Sequence, residues 1–309
     1  MKKITVIGSS NVDMIIKLKR LPQPGETLND GVFTQVFGGK GANQAIAAVR
    51  AAEPSTSVSF ITCLGDDDFA IRMIESFRKD RLNLNFSFAE KGVATGTALI
   101  LVDEKGTNSI AVAPGANCSL SRKQIDLSIE EIRNAEYIIL QMEIPVDITR
   151  YIIDMADKLH RKVILNVAPA IMIENSYLSK TEILIVNETE ASLLAGINVD
   201  TDENIAKAAE TLRNKGVKTV IITLGAKGSY LDESKMQKFM PGFKVNAVDT
   251  TAAGDTYCGA LAVALSEGKP VADAIKFAGA AAAISVTRLG AQPSVPFRKE
   301  IDEFLESQS

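Results

Sequence analysis

Between residues 137 and 223 the chain reads Tyr137-Ile-Ile-Leu140, then Val163-Ile-Leu165, Ile183-Leu-Ile-Val186 and Val220-Ile-Ile-Thr223. Each is a short, unbroken apolar run of strand rather than helix length. Between them, Asp147 to His160 and Thr201 to Lys215 carry apolar residues at helical spacing with charges on the other face. Strands apolar on both faces, alternating with helices, predict a parallel sheet covered on both sides. Ile4 to Ile7 has the same character and predicts one more strand at the start. Near the other end, Asp255 to Glu267 and Val271 to Arg288 are Ala-rich and predict two helices. Gly268-Lys269-Pro270 stops the first and starts the second.

Two regions break this pattern. Val12 to Phe37 and Phe86 to Val112 show short alternating runs with turn signals such as Leu21-Pro-Gln-Pro-Gly25. Asp103-Glu-Lys-Gly106 lies between Ala98-Leu-Ile-Leu-Val102 and Asn108-Ser-Ile-Ala-Val112, which predicts a β-hairpin. The expected architecture is α/β: one domain over residues 1–309, with a central, mostly parallel sheet and helices on both faces. A small β-sheet lid is expected from about residues 12–37 and 86–112.

Composition narrows the chemistry. The 309 residues are 46% hydrophobic with a net charge of -4, so there is no global electrostatic pull toward nucleic acid or an anionic membrane. No stretch approaches the roughly 18 to 20 apolar residues that span a bilayer. Lys2 and Lys3 precede only Ile4 to Ile7 before polar residues intervene, too short a run for a signal peptide. Cys63, Cys118 and Cys258 form no C-x-x-C pair and fit reduced thiols in a cytoplasmic protein. The single histidine, His160, sits among Lys158, Arg161 and Lys162 at a predicted helix end. Any acid–base work therefore falls to a carboxylate.

Five segments can carry that work. Val248-Asp249-Thr-Thr-Ala-Ala-Gly254-Asp255-Thr256 opens a helix, where free amides and the helix dipole favour an anion. Ala252, Ala253 and Gly254 offer small residues for close approach, and Asp255 could accept a proton from an attacking hydroxyl or could simply cap the helix. Phe37-Gly-Gly39-Lys40-Gly41-Ala42-Asn43-Gln44 precedes a helix expected over Ala45 to Arg50, and is not a Walker A motif. Gly8-Ser-Ser-Asn11-Val-Asp13 follows the first strand without completing a dinucleotide fingerprint, which weighs against a dehydrogenase. Asn187-Glu188-Thr-Glu190 follows a strand and suits either a hydrated magnesium ion or a helix cap. Thr223-Leu-Gly225-Ala-Lys-Gly228 suits a nucleotide-facing turn or an ordinary β-turn.

Together these segments resemble the ribokinase family within the carbohydrate and nucleoside kinases, over essentially the whole chain. The most specific pieces are Gly38-Gly-Lys-Gly-Ala-Asn43, Asp249-Thr-Thr-Ala-Ala-Gly-Asp255-Thr256 and Val286-Thr-Arg-Leu-Gly290-Ala-Gln-Pro-Ser294-Val-Pro. The resemblance implies ATP-dependent phosphorylation of D-ribose at its 5-hydroxyl, with Asp255 as general base and an anion hole at Ala252 to Gly254. It implies that Asn11, Asp13, Gly39, Lys40, Gly41, Ala42, Asn43 and Glu143 hold the sugar. Asn187, Thr223, Gly225, Gly228, Gly254 and Gly279 would face ATP, and Asn187 with Glu190 would hold magnesium through water. A potassium-type ion is implied at Asp249, Thr251, Ser285, Arg288, Gly290 and Ser294, and homodimers through the lid sheet. Gly279 departs from relatives that carry a larger side chain against the adenine. The rival readings are a kinase for deoxyribose, a ketohexose or a nucleoside, and a non-catalytic sugar-binding regulator on the same fold.

Overall fold

The computed structural model describes residues 2–234 and 236–308. Among these, an eight-stranded sheet forms the centre. Thr219–Thr223, Ile183–Asn187, Lys162–Asn166, Tyr137–Leu140, Lys2–Ile7 and Thr56–Ile61 lie side by side in that order, all parallel. Gly228–Glu233 and Met236–Pro241 extend one edge as an antiparallel hairpin. Five of these parallel strands are the apolar runs read from the sequence; Thr56–Ile61 was not among them.

Alternate strand residues point to opposite faces, and each face has its own core. Ile4, Val6, Ile139, Ile164, Ile185 and Ile221 pack against the helices Lys40–Ala51, Ala253–Ser266 and Val271–Ser285. Ile7, Ile138, Leu140, Val163, Leu184 and Val220 pack against Val146–Lys158 and Asp202–Asn214.

The chain starts in the strand Lys2–Ile7, lays Thr56–Ile61 on one side of it, and returns on the other side with Tyr137–Leu140. Strand order therefore reverses at this first strand. Loops leaving the carboxyl ends of strands at such a switch diverge and leave a crevice, where open α/β sheets bind ligands. Gly8 to Asp13 and Gln141 to Glu143 leave the two strands that flank it.

The lid is a separate four-stranded sheet in the order Val32–Gly38, Asn11–Lys17, Gly96–Val102 and Asn108–Ala113. The expected hairpin is its outer half. The expected second lid segment began too early, however. Phe88–Glu90 pairs with Cys63–Gly65 in a two-stranded sheet of its own, because a run that short follows whichever strand edge lies nearest.

Helix starts also differ from expectation. The helix placed at Ala45 begins at Lys40, so Lys40 to Asn43 form its first turn. Gly39 turns the chain into it with φ 87, a left-handed value that favours glycine. The helix expected from Asp255 begins at Ala253. His160 lies exposed beyond the helix Val146–Lys158, just before a strand starts, and so at the end of the sheet remote from the crevice.

Candidate active site

The helices Lys40–Ala51 and Ala253–Ser266 pack at very short range. A Cβ built on Gly259 would overlap the Gln44 carbonyl and the Ala47 side chain. That approach brings the start of one helix against the start of the other. Asn43 Nδ2 donates to Asp255 Oδ2 at 3.0 Å, and Gln44 Nε2 donates to Asp255 Oδ1 at 3.0 Å. Asp255 is buried, only 7% exposed. Its cap reading is overturned: Ala252 is the N-cap and Asp255 the third helical residue, with both carboxylate oxygens turned toward the other helix.

Ala252 sits at φ 59, a left-handed value uncommon outside glycine. The Ala253 N–H donates to the Thr250 carbonyl at 3.3 Å. The N–H groups of Ala252, Gly254 and Asp255 have no acceptor among the described residues. Of the residues expected to form an anion hole, Ala253 commits its N–H locally, while Ala252 and Gly254, with Asp255 beside them, keep free amides. Gly254 is exposed, and a Cβ there would meet nothing within 4 Å. Free amides at a helix start suit a phosphoryl oxygen.

Across the crevice, Glu143 Oε2 accepts from Ser9 Oγ at 2.6 Å and from the Lys40 N–H at 2.9 Å. Ser9 Oγ also accepts from the Gly41 N–H at 3.2 Å. Glu143 therefore locks the first turn of the helix Lys40–Ala51 to the switch-point loop. Asn117 Nδ2 donates to Asn11 Oδ1 at 2.7 Å, which leaves the Asn11 amide as a donor. Asp13 lies over Gly38, where any Cβ would overlap its carboxylate. Burial, then the neighbouring charge of Glu143, pushes Asp13 up to about 6, against the pull of Lys40. Burial pulls the Lys40 ammonium down, but Asp255, Glu143 and Glu190 together outweigh it and leave its pKa above the ordinary value. Asp13, Lys40, Glu143 and Asp255 are thus close enough to shift one another's charge, and Ala42 and Asn43 are buried beside them.

The second group lies farther along the sheet edge. Asn187 and Thr223 are register partners at the ends of adjacent strands. Asn187 Oδ1 accepts from the Glu190 N–H at 2.9 Å, and Glu190 Oε2 accepts from the Asn187 N–H at 2.8 Å. This is the capping box that the spacing allowed. Glu190 is buried, which raises its pKa against the Asn187 bond and Lys40. It reaches the electrostatic neighbourhood of both Lys40 and Asp255. Among the described residues no group of three or more His, Cys, Asp or Glu side chains could hold a metal. The donor set instead fits an ion that keeps most of its waters. Gly225 opens a short turn, and Gly228 is required where the Met240 carbonyl approaches its α-carbon. Gly279 lies on Val271–Ser285 beside Phe243. A Cβ there would touch that ring at 3.6 Å, an ordinary contact, so nothing steric demands glycine.

The third group is a knot of loops. Asp249 Oδ1 accepts from the Thr251 N–H at 2.9 Å and the Thr251 hydroxyl at 2.6 Å, and its Oδ2 accepts from the Gly290 N–H at 2.9 Å. These bonds outweigh partial burial and hold Asp249 below the usual carboxylate range. Ser285 and Ser294 spend their hydroxyls on the Ala282 and Ala291 carbonyls, and Arg288 pairs with Glu300 at 2.6 Å. The Arg288 guanidinium, a cation paired with Glu300, cannot itself ligate a monovalent ion here, whereas Asp249 supplies negative charge.

Several participants carried no signal of their own. Ser9, Gln44, Gln141 and Asn166 stand in or beside the quoted motifs, but their partners lie on distant segments: Ser9 bonds Glu143, and Gln44 bonds Asn166, Asp255 and Gln141.

Residues 1–298 match the pfkB family carbohydrate kinase profile, and the chain belongs to that family. It is 41% identical over 305 residues to a ribokinase of Haemophilus influenzae, covering 99% of each. It is 38% identical over 308 residues to a deoxyribokinase of Salmonella typhi, covering 98% of each. Among solved structures, Arabidopsis thaliana ribokinase complexed with ribose and ATP aligns with a TM-score of 0.89 at 34% identity, over 99% of this chain and 98% of that one. No helix among the described residues is long and apolar enough to cross a membrane.

Proposed function

We propose that this carbohydrate kinase transfers the γ-phosphoryl group of ATP to the 5-hydroxyl of D-ribose. One observation carries the reading. A buried carboxylate, Asp255, bonds to Asn43 and is an electrostatic neighbour of Asp13 and Lys40, and its own N–H and those of Ala252 and Gly254 are unsatisfied beside it. The sugar hydroxyl attacks phosphorus in line as its proton passes to Asp255. The new O–P bond forms, the bond to the bridging β,γ-oxygen breaks, and ADP departs with that electron pair. The Ala252, Gly254 and Asp255 amides receive the charge of the transferring group.

Asn187, Thr223, Gly225, Gly228, Gly254 and Gly279 form the nucleotide side. Magnesium, when bound with the nucleotide, neutralises phosphate charge, and Asn187 with Glu190 orient its waters. Asp249 and Thr251, with the backbone around Ser285, Arg288, Gly290 and Ser294, would hold a potassium-type ion, which would supply positive charge beside the loop that carries the amides. The compartment is the cytoplasm. The protein pairs through its lid, whose strands expose Ile16, Val32, Phe33, Leu99, Ile110 and Val112, an amount of exposed apolar surface that suits an interface.

Deoxyribose is the specific rival, because a deoxyribokinase relative is 38% identical over nearly the whole chain. Asp13 and Asn11 favour a sugar with adjacent hydroxyls. Initial rates with ATP, magnesium and potassium against ribose, 2-deoxyribose, fructose and adenosine test this. The highest kcat/KM is expected with ribose. A higher value with another acceptor would overturn the assignment, and ribose binding without ADP release would leave a regulator.

A further inference from the structure

Asp255 is held by a directed chain of amides that begins at a backbone carbonyl of the central sheet. Asn166 Nδ2 donates to the Ile185 carbonyl at 3.2 Å. A carbonyl can only accept, so this bond fixes which way the Asn166 amide faces. Its Oδ1 is thereby turned to Gln44, whose Nε2 donates to it at 3.0 Å and donates its other hydrogen to Asp255 Oδ1 at 3.0 Å. Gln44 Oε1 must then face away from Asp255, and there it accepts from Gln141 Nε2 at 2.7 Å. A flipped Gln44 would set oxygen against oxygen at both Asn166 and Asp255. Gln44 is 0% exposed and Gln141 1%, so water does not compete for these bonds. Space for the outer end of the chain comes from Gly8, where any Cβ would overlap Gln141 Oε1.

We infer that Gln44 is a positioning residue for phosphoryl transfer. Through Asn166 and Gln141 it aims the Asp255 carboxylate and supplies one of its two amide donors. This rests on the reading of Asp255 as the base. The other titratable groups around Asp255 are Lys40 on the helix of Gln44, Asp13 in the lid strand, Glu143 bonded to the Lys40 N–H, Glu190 at its helix start and Cys258 on the helix of Asp255. All remain when Gln44 is changed.

Gln44→Glu keeps the shape but replaces the donor with a second carboxyl group, so one proton is shared between two interacting acids. The acid limb of the kcat–pH profile is expected to move up by about one unit or more, with both KM values within about threefold of the parent. Asn166→Leu removes the far anchor without touching Asp255, and is expected to lower kcat about tenfold at unchanged KM. Thermal unfolding of each variant reports its folded state. If Gln44→Glu fails to fold, Asn166→Leu decides alone. An unshifted acid limb, or an Asn166→Leu kcat within twofold of the parent, would overturn the inference. The two readings separate cleanly: full turnover by Asp255→Asn would sink the base itself, whereas an inactive Asp255→Asn with an unshifted Gln44→Glu profile would sink only the positioning role.

Discussion

The two walls of the crevice are built by opposite means. On the wall of Asn11, Asp13, Lys40, Glu143 and Asp255, the bonds run between distant parts of the chain: Asn43 to Asp255 spans 212 positions and Ser9 to Glu143 spans 134. On the wall of Asn187, Glu190, Asp249 and Thr251, most bonds run two or three positions along the chain, and the longest, Gly290 to Asp249, spans 41. The first wall exists only when the helices have packed on the sheet. The second wall is largely a property of its own loops. Chemistry that needs aimed, desolvated charge has its natural home on the first, and a mobile, hydrated ion–nucleotide pair is well served by the second.

Breaking the long-range wall at its centre should have the largest effect. Asp255→Asn keeps the shape and removes the base, so kcat is expected to fall by roughly two or more orders of magnitude with sugar and nucleotide KM preserved. Steady-state kinetics with both substrates varied measures this, and near-parental turnover would refute the role.

Asp13 gives the next effect, with opposite signs in binding and stability. Loss of its charge in Asp13→Asn should raise the sugar KM about tenfold, as expected for a charged hydrogen bond made neutral. The same variant should be more stable. The folded value of about 6 lies above the ordinary 3.8, so keeping Asp13 ionised above pH 6 costs stability. The cost reaches at most about 3 kcal/mol and disappears as pH falls from 6 toward 3.8. Asp13→Asn should therefore unfold several degrees higher than the parent at pH 8 and together with it near pH 4. A stability difference independent of pH would contradict the burial argument.

The local wall should yield the smallest effect. Glu190→Gln keeps an acceptor for the Asn187 N–H, so the capping box survives and unfolding should hardly change. Only the charge toward the hydrated ion is lost, and the magnesium concentration for half-maximal rate should rise severalfold. An effect as large as that of Asp255→Asn would show that the two walls are not separable in this way.

The same contrast explains what was legible in the sequence. Apolar runs named five of the six parallel strands within two residues, because burial on both faces leaves an unbroken apolar pattern; Thr56–Ile61, with Ser57 and Ser59 in it, carried no such run. The spacing of Asn187 and Glu190 allowed the capping box, since its partners lie within one turn. The span of the lid and the starts of the helices at Lys40 and Ala253 were misplaced, because strand pairing and glycine turns decided them. Gln44 was visible as a letter but not as a partner of Asp255, because only the close helix contact at Gly259 brings them together. The resemblance of the motifs supplied the site residues, and folding supplied the bonds among them.

The lid strands run straight into the crevice. Asn11–Lys17 begins with Asn11 and Asp13, and Val32–Gly38 ends where Gly39 turns into Lys40. Asp13, Ala98 and Val112 stand in one row across that sheet, so Asp13 and the exposed Val112 share a face. On the dimer proposed above, filling the pocket and pairing two lids draw on one set of strands. Linkage then makes the influence mutual: whatever factor pairing adds to sugar affinity, sugar returns to the association constant. Sedimentation equilibrium with and without ribose would read that factor from the assembly side, with no turnover involved.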